Sequence, residues 1–422
     1  MSALHKKLSL GHIPVVIVGG GQAGLSMSYC LTQRNIQHVV LERNRIAHAW
    51  RSQRWDSFCL VTPNWQCRLP GHPYSGSDPE GFMVKGQIVK YLDDYVASFS
   101  PPVREGVEVQ RVKSGTRSRF EVETSEGTWL ADQVVIAAGG YHKPKLPPLA
   151  AALDPDVVQL NAATYKNAKS LPDGAVMVVG SGQSGCQIAE DLHLEGKQVH
   201  LCLGSAPRVA RRYRGRDVVY WLEQLGHYDM PIDRHPDGAA VRRKPNHYVT
   251  GRDGGRDIDL RKFASEGMQL HGRLLNIDES AFEFGDDLAK NLDRADATDD
   301  RIKNTIDDYI ARSGIDAPQE ARYVPVWKPE KHEARMSKRD AGISAVVWAM
   351  GFSLDYRFIE FSVFDPSGYP DHSRGVTREP GLYFLGLPWL YTWGSGRFCG
   401  VGNDAEHLAS WIAGAPGVAI TA

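Results

Sequence analysis

Val15-Val16-Ile17-Val18-Gly19-Gly20-Gly21-Gln22-Ala23-Gly24 is the stretch that decides the fold, and it occurs twice. It returns 161 residues later as Val176-Met177-Val178-Val179-Gly180-Ser181-Gly182-Gln183-Ser184-Gly185. A β-branched run followed by G-x-G-x-x-G reads as a buried strand, a tight turn and a helix start. The first glycine makes the turn and the second lets backbone approach a pyrophosphate. The third lets helix and strand pack closely, and free N–H groups at the helix start favour the anion. The segments Leu25 to Leu31 and Cys186 to Leu192 have the amphipathic pattern of the two helices. Two copies in register predict an α/β protein with two Rossmann-like dinucleotide-binding domains.

The copies differ eighteen residues beyond the third glycine. After the first, Val39-Val40-Leu41 ends in Glu42, a carboxylate able to accept from ribose hydroxyls, with Arg43 next. After the second, Leu203-Gly204-Ser205 carries no acid, and Arg208, Arg211, Arg212, Arg214 and Arg216 follow. An acid there would repel a 2′-phosphate, whereas small polar and guanidinium groups bond it. The first copy therefore suits FAD, held by Gly19, Gly21, Gln22, Ala23, Gly24, Glu42 and Arg43. The second suits NADPH, held by Gly180, Ser181, Gly182, Gln183, Ser184, Gly185, Ser205, Arg208, Arg211 and Arg212. A solvated basic loop is the other reading of the arginines. Nucleic-acid binding is argued against by the formal net charge of −1.

A chain of 422 residues can bury a large core and is expected to form two domains. No apolar run approaches a membrane span, and the polar start, Met1 to His12, is not a signal peptide, so a cytoplasmic location is expected. The six cysteines form no C-x-x-C pair, which excludes the dithiol relay of disulfide reductases. Cys59 and Cys67 are the closest pair in sequence and could be neighbours in space. No metal-ligand spacing occurs, so no metal site is expected.

Residues 1–150 and 341–422 are read as the FAD-binding domain, and 151–340 as the NADPH-binding domain inserted within it. The latter carries a mainly helical insertion at about 211–333. Within that insertion Ile302, Ile306, Tyr309 and Ile310 share one helical face and read as core packing. Val109 lies in one of the alternating strands of the first unit. Gly139 ends the buried run from Gln133 in a glycine turn, and a helix starting near Gly402-Asn403-Asp404 is placed with its N-terminus facing the flavin.

The two fingerprints, the helix from Gly185 to Leu192 and the A-x-G turns at Ala137–Gly139 and Ala349–Gly351 resemble class B flavin-dependent monooxygenases. That group includes flavin-containing, YUCCA-type and Baeyer–Villiger enzymes. Trp50-Arg51, Arg54-Trp55-Asp56-Ser57-Phe58, Leu60-Val61-Thr62-Pro63 and the segments 211–217 and 251–260 are similar to a bacterial branch whose genes sit beside nitrilase genes. The resemblance implies that NADPH reduces FAD and that reduced flavin meets oxygen. One oxygen atom then passes from a C4a-hydroperoxide to a small nitrogen- or sulfur-containing substrate, or to a carbonyl. It also implies flavin contacts from Trp50, Arg51, Thr62, Val109, Gly139 and Asp404.

Asn64 stands where the family places an asparagine near the flavin edge, and an Asx-turn role is the alternative for it. Trp65, Trp389, Trp393 and Arg397 are candidates for the substrate pocket; an aromatic site suits an apolar or cationic substrate, whereas Arg397 suits an anion. In one place the sequence departs from the family. The monooxygenase fingerprint F-x-G-x-x-x-H is replaced by Val157-Val158-Gln159-Leu160-Asn161, with Asn161 about where a domain-linking histidine is expected. A flavin oxidase or dehydrogenase without oxygen transfer, and a flavin-bound sensor, are therefore the rival readings. Expected partners are a small-molecule substrate and oxygen, without nucleic acid or membrane; a homo-oligomer is left open.

Overall fold

The computed structural model describes residues 9–415; Lys6 and Lys7 of the polar start lie outside them. The elements used below, in chain order, begin with β1 (Ser9–Val18), α1 (Gln22–Thr32), β2 (His38–Glu42), α2 (Lys85–Phe99) and β3 (Val103–Glu105). Next come β4 (Val109–Ser114), β5 (Phe120–Thr124), β6 (Thr128–Ile136), β7 (Val158–Asn161), β8 (Ala175–Val179), α3 (Gln183–Leu194) and β9 (Val199–Cys202). The series closes with β10 (Gln269–His271), α4 (Leu288–Ser313), β11 (Ile343–Trp348), β12 (Leu382–Phe384) and α5 (Val401–Gly414).

Both apolar runs preceding the glycines become central parallel strands. β1 lies between β2 and β6, with Val18 opposite Leu41 on one side and Ile136 on the other. β8 lies between β9 and β11, with Val179 opposite Cys202 and Trp348. Strands covered on both faces need apolar side chains at every position, which is why neither run alternates. One face of the first sheet is covered by a core that includes Val15, Ile17, Leu25 and Leu408, the other by one that includes Val16, Phe120 and Phe384. The second sheet repeats the arrangement with Val176 and Val178 on one side and Met177 and Val346 on the other. In each sheet the neighbours of the central strand connect to opposite sides, so a crevice opens at its carboxyl end.

Two expected boundaries move. β11 pairs in parallel with β7 and β8, so residues 343–348 belong to the second sheet rather than to the FAD-binding unit. The chain crosses back only afterwards, where Phe352–Ser353 pairs antiparallel with the outgoing crossing at Lys143–Pro144. The segment 211–333, although most of its regular structure is helical, is likewise not a mere appendage. Its strand β10 extends the parallel sheet beside β9, and Ala281–Phe284 pairs with Leu274–Ile277 on one side and Arg335–Ser337 on the other in a small antiparallel sheet. Its long helix, α4, does present the expected stripe: Ile306 and Ile310 are buried, and Ile302 and Tyr309 pack on the same cluster.

Candidate nucleotide sites and the cleft between them

Each glycine of the first copy has a separate reason. Gly19 has φ +111°, and a Cβ on it would stand 2.6 Å from the carbonyl oxygen of Ala137. A Cβ on Gly24 would stand 1.9 Å from the oxygen of Gly19, so only glycine allows α1 to start there. Gly21 differs, because nothing lies within 4 Å of a Cβ placed on it. It is the N-cap of α1 and offers no side-chain cap, so the first amides of the helix face open space. The second copy repeats all three features. Gly180 (φ +107°) abuts Ala349 O at 2.7 Å, Gly185 abuts Gly180 O at 1.8 Å, and Gly182 is open at the uncapped start of α3. These cradles fit two pyrophosphates.

Around the first cradle, Glu42 accepts the Gly20 N–H at 2.7 Å and the Asn44 N–H at 2.8 Å. The carboxylate is thereby fixed at the strand end with further lone pairs free for ribose hydroxyls. Val107 donates its N–H to Glu42 O (3.0 Å), which brings the start of β4 and Val109 beside it, while Arg43 is exposed. Gly139 has φ +79° and open space above it. Gln22 joins two distant segments: its carbonyl accepts Trp50 Nε1 (3.0 Å) and its amide donates to Gly396 O (3.2 Å). Trp50 stacks on Phe398 at 5.3 Å. Asp404, in the first turn of α5, is buried; Arg374 donates to its Oδ1, and the Ser395 hydroxyl also bonds the carboxylate. Burial raises its pKa above the ordinary range. A buried carboxylate has lone pairs beyond these two bonds and fits a ligand hydroxyl.

Four expected contacts are corrected. Arg51 is turned to Asp93 and Ile46 O and does not face the cradle. Arg208 is buried between Asp296 (2.8 Å) and Asp299 (2.9 Å) under the Tyr323 ring. Arg211, 1% exposed, pairs with Asp217 and donates to Val61 O at 2.7 Å. Neither is free for a 2′-phosphate. They tie the insertion to the domain, and the acids that neutralise them lie 6 to 91 residues away in sequence. Arg212 is exposed and donates to Gly254 O. What remains of the expected 2′-phosphate subsite is Ser205, exposed beside Gly204, whose N–H bonds Ser181 Oγ at 3.0 Å. Gln183 matches Gln22 in behaviour, clamping both backbone groups of Val249 (2.6 and 3.2 Å), while Ser184 is half-buried at the helix start.

The fourth correction is Asn64. It is buried, donates to Asp78 O (2.9 Å) and accepts the Met83 N–H (2.7 Å), so both ends of its amide hold their own loop. The preceding Thr62 is half-buried. Trp65 and Trp393 pack on the same cluster beneath the insertion, and Trp393 lies 4.6 Å from Tyr228. Trp389 is buried apart from them, against His235. Arg397 lies over the Trp393 ring at 3.4 Å.

The domain link expected near Asn161 is made by the residues after it. Asn161 caps the turn to Tyr165 by accepting from Ala163 N. Tyr165 donates to Asp191 (2.6 Å), which also receives Ser57 Oγ and Arg252. Asn167 bonds Asp56, and Trp55 sits in the core of the second domain. Beside this network Glu190 is buried against Arg256, and burial raises its carboxyl to about 7. Cys59 and Cys67 do not meet: Cys59 lies by Gly251 and Thr250, Cys67 by Cys399. All six cysteines are free and buried. Burial lifts the Cys59 thiol to about 11 and Cys67 to about 12, against thiolate relay.

Residues 16–226 match the model of the pyridine nucleotide-disulphide oxidoreductases. The chain is 32% identical over 404 residues to an uncharacterized CzcO-like oxidoreductase of Geobacillus kaustophilus, covering 95% of this chain and 98% of that one. A shorter match, 29% over 209 residues, reaches a probable indole-3-pyruvate monooxygenase of Arabidopsis thaliana, YUCCA3, covering 47% of each. The fold is similar to that of a flavin-containing monooxygenase from Stenotrophomonas maltophilia, with a TM-score of 0.66, 18% identity and coverage of 96% and 99%. Among the described residues no helix is long and apolar enough to cross a membrane, and no cluster of side chains fits a metal.

Proposed function

The chain belongs to the pyridine nucleotide-disulphide oxidoreductase family, and we propose that within it the protein is an FAD- and NADPH-dependent monooxygenase. It is an oxidoreductase of the flavin-dependent, monooxygenase-like kind. Its proposed substrate is a small nitrogen- or sulfur-containing molecule; the nitrogen rests on the resemblance to the nitrilase-associated branch. The observation that carries the reading is the pair of uncapped helix starts at Gly21 and Gly182, joined by Gln22 and Gln183 to the segments that wall the intervening cleft. The six cysteines are free and buried, so no cysteine pair is built to relay electrons from a bound flavin.

Bound FAD would supply hydride acceptance from NADPH and the oxygen chemistry. The chain's own residues do the rest. Gly19 to Gly24 and Glu42 would hold the FAD pyrophosphate and ribose, and Asp404 a ribityl hydroxyl. Gly180 to Gly185 and Ser205 would hold NADPH. Trp50 and Phe398 stack beside Gln22 and wall the cleft against water. Asn64 holds the wall's loop and is proposed as a positioning residue.

The test is an NADPH-consumption screen across small amines, nitriles, oximes and thioethers, with peroxide measured alongside. Substrate-stimulated consumption with an oxygenated product and little peroxide is expected. Stoichiometric peroxide with every compound would establish the oxidase instead, and failure of NADPH to bleach the flavin would establish the sensor.

A further inference from the structure

The buried arginines of this protein all have carboxylates. Arg208, Arg211, Arg214 and Arg261 each pair with aspartate. That is what burial demands, because an uncompensated charge away from water is costly. Arg54 and Arg397 are half-buried and have no such partner. Arg54 lies 4.9 Å over the Trp50 ring and 5.5 Å from that of Phe58, and its one bond is to Gln53 O. Arg397 stacks on Trp393 and donates to Trp393 O and to Asn246 Oδ1. Among the described residues no carboxylate pairs with either. Burial lowers both guanidinium pKa values, and the groups that act on them electrostatically are tyrosines and Cys399.

The two arginines flank one set of hydrogen-bonded and stacked side chains. Gln22 bonds both Trp50, which carries Arg54 on its face, and Gly396, which precedes Arg397. Trp50 also stacks on Phe398, which follows Arg397. Tyr141 acts electrostatically on both guanidiniums. Tyr141 follows the first A-x-G turn and its ring meets Phe352, just after the second, at 5.4 Å. The two guanidiniums therefore lie among aromatic rings next to the A-x-G turns of both nucleotide units. His227, which Arg397 also influences, adds no negative charge.

We infer that Arg54 and Arg397 form an anion subsite that takes the carboxylate of the substrate, whose body is aromatic or otherwise apolar and lies among Trp50, Trp393 and Tyr141. This rests on the reading of the cleft as the substrate site of a flavoprotein, and it decides between the apolar or cationic and the anionic substrate in favour of the anion. Two guanidiniums presenting planar donors match a carboxylate, and their tryptophan partners hold them extended before the ligand arrives.

The test is calorimetric titration of the FAD-loaded protein with benzoate, phenylacetate and 3-phenylpropionate, each against its neutral amide. At least one carboxylate is expected to bind tenfold or more tightly than its amide. Arg54→Gln or Arg397→Gln should erase that preference, and Arg397→Lys should restore part of it. Flavin content and the KM for NADPH should stay within about twofold of wild type. The inference is overturned if no carboxylate outbinds its amide, a comparison that needs no variant. It is equally overturned if either glutamine variant loses flavin or raises the NADPH KM tenfold, because a cofactor phosphate would then be the anion. The titration involves no turnover. A protein that binds carboxylates yet is never reduced by NADPH would refute the monooxygenase reading alone.

Discussion

Replacing Arg208 by alanine separates a structural from a cofactor-binding role. The guanidinium is 4% exposed, lies 3.8 Å over Tyr323 and bridges two carboxylates of α4. Breaking a buried ion pair by removing one partner costs about 3–5 kcal/mol. Here the stranded acids keep other partners. Asp299 still has Lys303 at 2.9 Å and the Ala210 N–H at 2.7 Å, and Asp296 still has Arg261 at 2.9 Å. The lower end therefore applies, about 3 kcal/mol, with loss of the ring contact included. Urea unfolding followed by tryptophan fluorescence measures it, alongside kcat/KM for NADPH and for NADH on the folded variant. The ratio of the two should change by less than about twofold, since the arginine is turned into the insertion. Unchanged stability together with a tenfold fall in that ratio would refute the assignment and return Arg208 to the 2′-phosphate.

Other substitutions probe the remaining sites. Gly24→Ala should abolish flavin retention, and Gly185→Ala should leave flavin bound while raising the NADPH KM at least tenfold, because each Cβ strikes a carbonyl oxygen inside 2 Å; flavin absorbance and steady-state rates read the two separately. Asp404→Ala should weaken FAD retention about tenfold on dilution if the carboxylate meets the cofactor. Glu190 gives a pH signature. Its folded pKa, about 7, is raised above the ordinary carboxylate value, so its contribution to stability is full below about pH 4.5 and is lost as pH rises through 7. Glu190→Gln should flatten unfolding midpoints across pH 5 to 8, and an unchanged slope would show that another group titrates there.

Much of the fold was legible in the chain because its signals are local. A glycine fingerprint, its strand and its helix occupy about 20 contiguous residues, and sterics within that unit decide the turn. Val15 to Gly24 and Val176 to Gly185 therefore specify two Rossmann-like units and two anion cradles without further context. Glu42 is equally local, at the end of the adjoining strand. The cysteine spacing, too, excluded a C-x-x-C dithiol from sequence, and burial of Cys59 and Cys67 in separate surroundings agrees.

What only tertiary structure decided is which charges are neutralised from a distance. Arg208 looks like a ligand in a linear reading, because Asp296 and Asp299 are far away in sequence; Arg211 has its acid, Asp217, only six residues on, but the fold is what buries the pair against Val61 O. Arg397 stands out in the sequence as a possible anion ligand and Arg54 does not, but nothing local reveals that no acid pairs with either. Asn64 has the residue type for a flavin contact, but its loop closes on it through Asp78 and Met83. Backbone sterics act over a few residues and can be read from a motif, whereas charge compensation depends on which segments the fold brings together.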